Sequence, residues 1–203
     1  MSFEISNLLN SDAYNHPVEN IELIETHISW VILTGKFAYK IKKPVNFGFL
    51  DFSTLEKRRN CCEQELRLNR RLASAIYLDV VAIAGTEEKP VISATEEGFE
   101  YAVKMLQFPQ SAQLDHMLSS GDLKIEHMDA IARMVADFHQ VIPVTDEQML
   151  YGNATEVYAP VEENFTQIRQ HLNTCLYEED LKALQSWTVS EFSKLESIFE
   201  QRK

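Results

Sequence analysis

Residues 21–43 read IELIETHISWVILTGKFAYKIKK, and no other stretch constrains the architecture so tightly. Apolar and polar residues alternate through it, and Ile, Val, Phe and Tyr are frequent, as expected of strands with one buried face. The alternation predicts three strands, Glu19–Glu25, Ser29–Thr34 and Lys36–Lys42, with turns at Thr26-His27 and Thr34-Gly35. Pro44 ends the third strand, because it offers no N–H to a ladder.

Working outward, a short helix is expected on the N-terminal side. On the other side the loop VNFGFLDF (45–52) leads to Ser53 and Thr54, candidate N-caps, with Glu56 three residues after Ser53 as in a capping box. A long helix should follow to about Ala73. LDVVAIA (78–84), PVISA (90–94) and FEYAVKML (99–106), separated by Gly, Pro and acidic turns, are further strand candidates. From Gln110 the apolar spacing becomes helical, over Gln113–Ser119, Leu123–Gln140, Val161–Asn173 and Glu178–Lys203, with an irregular connection over Val141–Pro160. The expected fold class is α+β: a small antiparallel sheet of about five strands with one long helix in residues 1–108, then a helical region in 109–203.

Composition excludes several functions. No stretch approaches the roughly 20 apolar residues of a membrane span, so no membrane partner is expected. The start, MSFEISNLLNSD, lacks a basic leader followed by an apolar run, so export is not expected and the cytoplasm is the predicted compartment. Cys61, Cys62 and Cys175 form no CxxC pair, which fits reduced thiols and implies no metal site. A net charge of −12 argues against nucleic acid as a partner. Yet residues 36–71 hold ten Lys and Arg against four Asp and Glu, so this one segment suits a small polyanion.

Within that segment Ala38, Lys40 and Lys42 share one face of the third strand, with Phe37, Tyr39 and Ile41 on the other. A small residue two before a lysine leaves room for a flat ring while the ammonium reaches phosphate, the spacing of the V-A-I-K strand in kinases. On the long helix, Leu55, Cys61, Cys62, Leu66, Leu68, Leu72 and Ala73 fall in one arc, and Glu65 lies near its middle. A carboxylate that faces a core requires a cation, and Lys40 is the expected partner. The alternative is that Lys40, Lys42 and Lys43 are a solvated strand end and Glu65 a helix-edge charge.

Taken together, ETHISWVILTGKFAYKIKKPVNFGFLDFSTLEKRR (25–59), CEQELRLNRRLA (62–73) and YAVKMLQFPQ (101–110) resemble the N-terminal domain of a bacterial aminoglycoside-phosphotransferase-like family. The likeness covers most of the first 140 residues and fades after Val144. It implies a protein-kinase-like N-lobe in 1–108 and a partial helical C-lobe in 109–203. It makes Lys40 the phosphate lysine, Glu65 its partner and Met105 the residue before a hinge whose Leu106–Phe108 backbone meets an adenine ring. The implied cofactor is ATP or GTP with Mg²⁺. The implied partners are an unknown small-molecule acceptor and the rest of a longer polypeptide, comprising a catalytic lobe and, as in many members, a P-loop kinase domain.

Two departures matter. No G-x-G-x-x-G loop joins the first two strands, so the turn Thr26-His27-Ile28-Ser29, with the Ser29 hydroxyl, either contacts phosphate in its place or is an ordinary hairpin turn. No H-G-D-x-H-x-x-N loop or later metal-binding Asp is present, so no catalytic residue is assigned and Mg²⁺ ligands are expected outside this chain. Gly121-Asp122-Leu123 reads as a helix N-cap, and Asp137-Phe138-His139-Gln140 lies inside a helical pattern. Helical spacing persists to the C-terminus, and the chain is expected to stop before the catalytic loop and to be inactive alone. The competing expectation is a binding or regulatory module of the same fold that has lost nucleotide.

The remaining polar residues read as structural. His127 and His139 are expected to be packed or hydrogen-bonded, Trp30 and Trp187 to pack, and Arg58, Arg59, Arg70 and Arg71 to lie on solvated helix faces.

Overall fold

A computed structural model describes residues 4–94, 97–144, 152–171 and 177–202. Cys175, Asn173 and residues 145–151 of the expected connection lie outside that set. Six strands are described: β1 (Glu22–Glu25), β2 (Ser29–Leu33), β3 (Phe37–Lys42), β4 (Tyr77–Gly85), β5 (Pro90–Ser93) and β6 (Glu100–Leu106). The helices are α1 (Leu55–Ala73), α2 (Leu114–Ser120), α3 (Ile125–Val141), α4 (Ala154–His171) and α5 (Glu178–Arg202). The protein is thus α+β, with six strands where about five were expected. The short helix expected in the N-terminal segment takes the form of two 3-10 helices, Ile5–Leu8 and Ser11–Ala13.

All six strands join in one antiparallel sheet of order β1-β2-β3-β6-β4-β5. β6, last in sequence, enters between β3 and β4 and places Lys40 opposite Val103 and Ala38 opposite Met105. One sheet face carries Ile32, Tyr39, Ile41, Val81, Ile83 and Ala102, covered by Leu8, Ala13 and Tyr14 of the N-terminal turns. Burying these side chains at about 25 cal/mol per Å² supplies the main drive for this half of the chain. Tyr39 is completely buried, and burial pushes its phenol up to about 12. The phenol hydrogen-bonds His16 Nε2 at 2.9 Å.

The other face carries Ala38, Lys40 and Lys42 and receives α1. Thr54 caps this helix, its hydroxyl accepting from Lys57 N at 3.2 Å, so the capping assignment falls to Thr54 of the two candidates. Cys62, on its inward face, is completely buried. The inward arc is narrower than its spacing implied, for Leu68 and Leu72 near the C-terminal end are 46% and 47% exposed. That end is tied instead by Arg70, which donates to the Tyr77 and Leu78 carbonyls.

Compact packing divides the chain after Ile131. In the first unit α2 ends at Gly121, whose φ of 78° is the left-handed C-cap. This corrects the N-cap assignment of Gly121-Asp122-Leu123. His127 Nδ1 accepts from Lys124 N at 3.0 Å at the start of α3, so His127 is a hydrogen-bonded histidine. In the second unit α4 and α5 form an antiparallel hairpin, with Tyr158 against Phe192 at 4.4 Å between ring centroids. α4 begins at Ala154 and contains Pro160, so this part of the expected connection is helical. Trp187, expected to pack, is 61% exposed.

Candidate functional site

The antiparallel register aligns two rows of side chains on the α1 side of the sheet. Leu33, Ala38, Met105 and Tyr77 form one, and Ile24, Val31, Lys40 and Val103 the other. Above them opens a cleft of about 340 Å³, lined by most of these residues and by Thr26, Leu106, Gln107, Phe108, Gln110 and Gln113. Its floor is largely apolar, and the small side chain of Ala38 leaves room above the sheet.

At the inner end Lys40 Nζ lies 2.8 Å from Glu65 Oε1. Two partly independent features place this contact: strand alternation turns Lys40 toward α1, and helical spacing turns Glu65 toward the sheet. The carboxylate's second oxygen, Oε2, accepts from Lys42 Nζ, a contact absent from the reading of the sequence. The Lys40 side chain is 30% exposed, against 6% for Lys42 and 11% for Glu65. The solvated-strand-end alternative therefore does not describe Lys42, which is buried. Burial alone raises the Glu65 pKa, but hydrogen bonds and charge from Lys40 and Lys42 outweigh it and hold the carboxyl below its ordinary value.

Ser29 does not reach the cleft. It shares the Lys42 face of the sheet but is completely buried, and its hydroxyl has no hydrogen-bond partner among the described residues. The β1–β2 turn closes on itself: Thr26 Oγ1 donates to Ser29 O and accepts from Ser29 N, each at 3.0 Å. A short turn of this kind pulls Ser29 inward, so of its two hydroxyls only Thr26 lines the cleft.

Met105, Leu106 and Phe108 all line the cleft. Two backbone donors of the segment are already engaged, Leu106 N by Ile76 O at 2.8 Å and Gln107 N by Lys36 O at 3.0 Å. Phe108 N–H has no partner among the described residues and remains available. The Gln107 side chain is an unforeseen element, its Oε1 accepting from Thr34 N at 3.0 Å and Gly35 N at 2.9 Å. It ties the β2–β3 turn to the segment after β6.

Arg58 is another departure from the sequence reading. It is buried rather than solvated, with Nε donating to both Glu100 oxygens at 3.0 and 2.8 Å and Nη1 to Phe52 O at 3.0 Å. Arg59 lies over the Tyr101 ring at 4.9 Å. No local signal announced the pair, because 42 residues separate Arg58 from Glu100 and no spacing rule connects them.

Among the described residues no group of three or more His, Cys, Asp or Glu is placed to hold a metal ion. None of the described helices is long and apolar enough to cross a membrane.

Comparison with known proteins gives relatives without an assigned activity. Uncharacterized proteins of Mycobacterium bovis and of two strains of Mycobacterium tuberculosis are each 30% identical over 194 residues. The match takes in 92% of this chain and 36% of each relative, so the chain spans about a third of their length. No family description and no solved structure matches the chain.

Proposed function

We propose that this chain is the nucleotide-binding portion of a kinase-like small-molecule phosphotransferase of the aminoglycoside-phosphotransferase-like type, taking ATP or GTP with Mg²⁺. The supporting observation is the Lys40–Glu65 pair, 2.8 Å apart at the inner end of a cleft walled by Ala38, Val31 and Met105. An ammonium held by a carboxylate beside an apolar slot fits a ligand with a flat ring at one end and anionic oxygens at the other. At the outer end the Phe108 N–H supplies a donor for the edge of a purine.

On this reading the residues of the cleft bind and orient the nucleotide, and no catalytic role is assigned to any of them. Mg²⁺ arriving with the nucleotide would supply neutralisation of the phosphate charge, and no described residue is assigned to hold it. Its protein ligands, the acceptor site and any P-loop kinase partner domain belong, on this proposal, to other parts of the polypeptide. The chain alone binds nucleotide without turnover.

Calorimetric titration with Mg·ATP and Mg·GTP tests the proposal. Binding of either that is lost in Lys40→Ala supports it. No heat with any purine nucleotide favours a module that kept the fold and serves as a binding or regulatory surface.

A further inference from the structure

Glu65 is held by two lysines, and they occupy different environments. Lys40 Nζ meets Oε1 from within the cleft lining, with its side chain 30% exposed. Lys42 Nζ meets Oε2 from a position outside that lining, with its side chain 6% exposed. Lys42 also lies 5.5 Å from the Phe52 ring centroid, and Ser29 is its partner across β2, so the ammonium sits in a closed compartment. One carboxylate cannot neutralise two ammoniums, which leaves a net positive charge, and the exposed member carries it toward the cleft. Two turns earlier on α1, the Arg58–Glu100 ion pair fixes the same helix to β6.

We propose that Lys42 is a positioning residue: it anchors Glu65, so that Lys40 stays oriented while remaining free to share its ammonium with an anionic oxygen of the ligand. This rests on the nucleotide reading of the cleft. With a single lysine, any ligand that drew the ammonium away would leave Glu65 buried without a cation, at a cost that opposes binding. With Lys42 in place the carboxylate keeps a partner in both states. α1 then has no electrostatic reason to move when ligand binds, and the cleft is preformed.

The groups facing Glu65 are Lys40 and Lys42 from β3, with Tyr77 on β4 and Cys62 on α1 close enough to share its field. Carboxyl-detected NMR titration of Glu65 in the wild-type chain, Lys42→Met and Lys40→Met reads the anchor directly, without any nucleotide. Lys42→Met should raise the Glu65 midpoint at least as much as Lys40→Met, and Lys42→Arg should restore most of it. Calorimetry with Mg·ATP should then show affinity falling roughly tenfold in Lys42→Met, the scale typical of residues that orient a ligand-binding group. The same variant should leave the unbound fold intact by amide NMR. Should Lys42→Met fail to fold, Lys Nζ signals of the wild-type chain decide: Mg·ATP should shift Lys40 and leave Lys42 in place. An unchanged Glu65 midpoint in Lys42→Met, or a Lys42 signal that moves as far as that of Lys40, overturns the proposal. If the wild-type chain binds no nucleotide, the reading of the cleft fails, and the Glu65 titration still decides whether Lys42 is the anchor.

Discussion

Arg58 and Glu100 meet in an ion pair in which Nε reaches both carboxylate oxygens, at 3.0 and 2.8 Å, with both side chains about nine-tenths buried. Glu100 Oε1 also accepts from Tyr101 N at 3.0 Å, and Arg58 Nη1 satisfies the Phe52 carbonyl at 3.0 Å. The pair thus ties α1, β6 and the loop before α1 into one body. Removing one partner strands a buried charge, which typically costs about 3–5 kcal/mol. Arg58→Met should therefore lower the urea midpoint sharply. A loss under about 1 kcal/mol, the value of a surface ion pair, would mean that the pair is solvated in solution.

Cys62 provides a test of packing. It is completely buried against the sheet, and burial pushes its thiol up to about 12. Since the thiolate is the reactive form, Cys62 should resist iodoacetamide at pH 8 in the folded chain and react on denaturation. Peptide mass analysis identifies the site. Rapid modification of Cys62 under native conditions would show that α1 is not seated as described.

The acid limb of the stability curve reports on Glu65. Its carboxyl titrates below the ordinary value of 4.5 in the folded chain, so the stabilisation is fully present above that value. It is lost as pH falls through the lower folded-state value, where the unfolded chain takes up the proton more readily. Glu65→Gln should therefore be less stable than wild type at pH 7, and the gap should narrow as pH falls below 4.5. A gap that is constant with pH would place the carboxylate in solvent.

Gly85 ends β4 with a φ of 82°, and an added Cβ would lie 2.6 Å from the Lys89 carbonyl oxygen. Gly85→Ala should cost more than the roughly 1 kcal/mol of an ordinary glycine substitution, because a backbone atom must shift as well. Thermal unfolding measures it, and a neutral result would indicate a different turn between β4 and β5.

Much of this was legible in the sequence because period alone fixes the face that a side chain occupies. Alternation through 21–43 identified three strands and turned Lys40 toward α1, and helical spacing turned Glu65 toward the sheet, so their meeting followed. What period does not supply is the partner. Lys42 was placed on the right face but not on Glu65, and Arg58 was assigned to solvent because its partner lies 42 residues away. Gln107 reaches back 73 residues to Thr34, with nothing in its neighbours to announce it. The insertion of β6 between β3 and β4 likewise depends on long-range pairing, which local pattern does not encode. Ser29 was left open between phosphate contact and ordinary hairpin turn because a hydroxyl beside a turn suits either ligand or core, and the closure of the turn by Thr26 favours the second.

The most direct measurement is the thermal unfolding of wild type and Lys40→Ala with and without Mg·ATP. Nucleotide at about 100 times its dissociation constant should stabilise the wild-type chain by about 2.7 kcal/mol, and Lys40→Ala, folded and otherwise of similar stability, should show no shift. Equal shifts in both proteins, or none in either with ATP or GTP, would contradict a nucleotide cleft organised around the Lys40 ammonium.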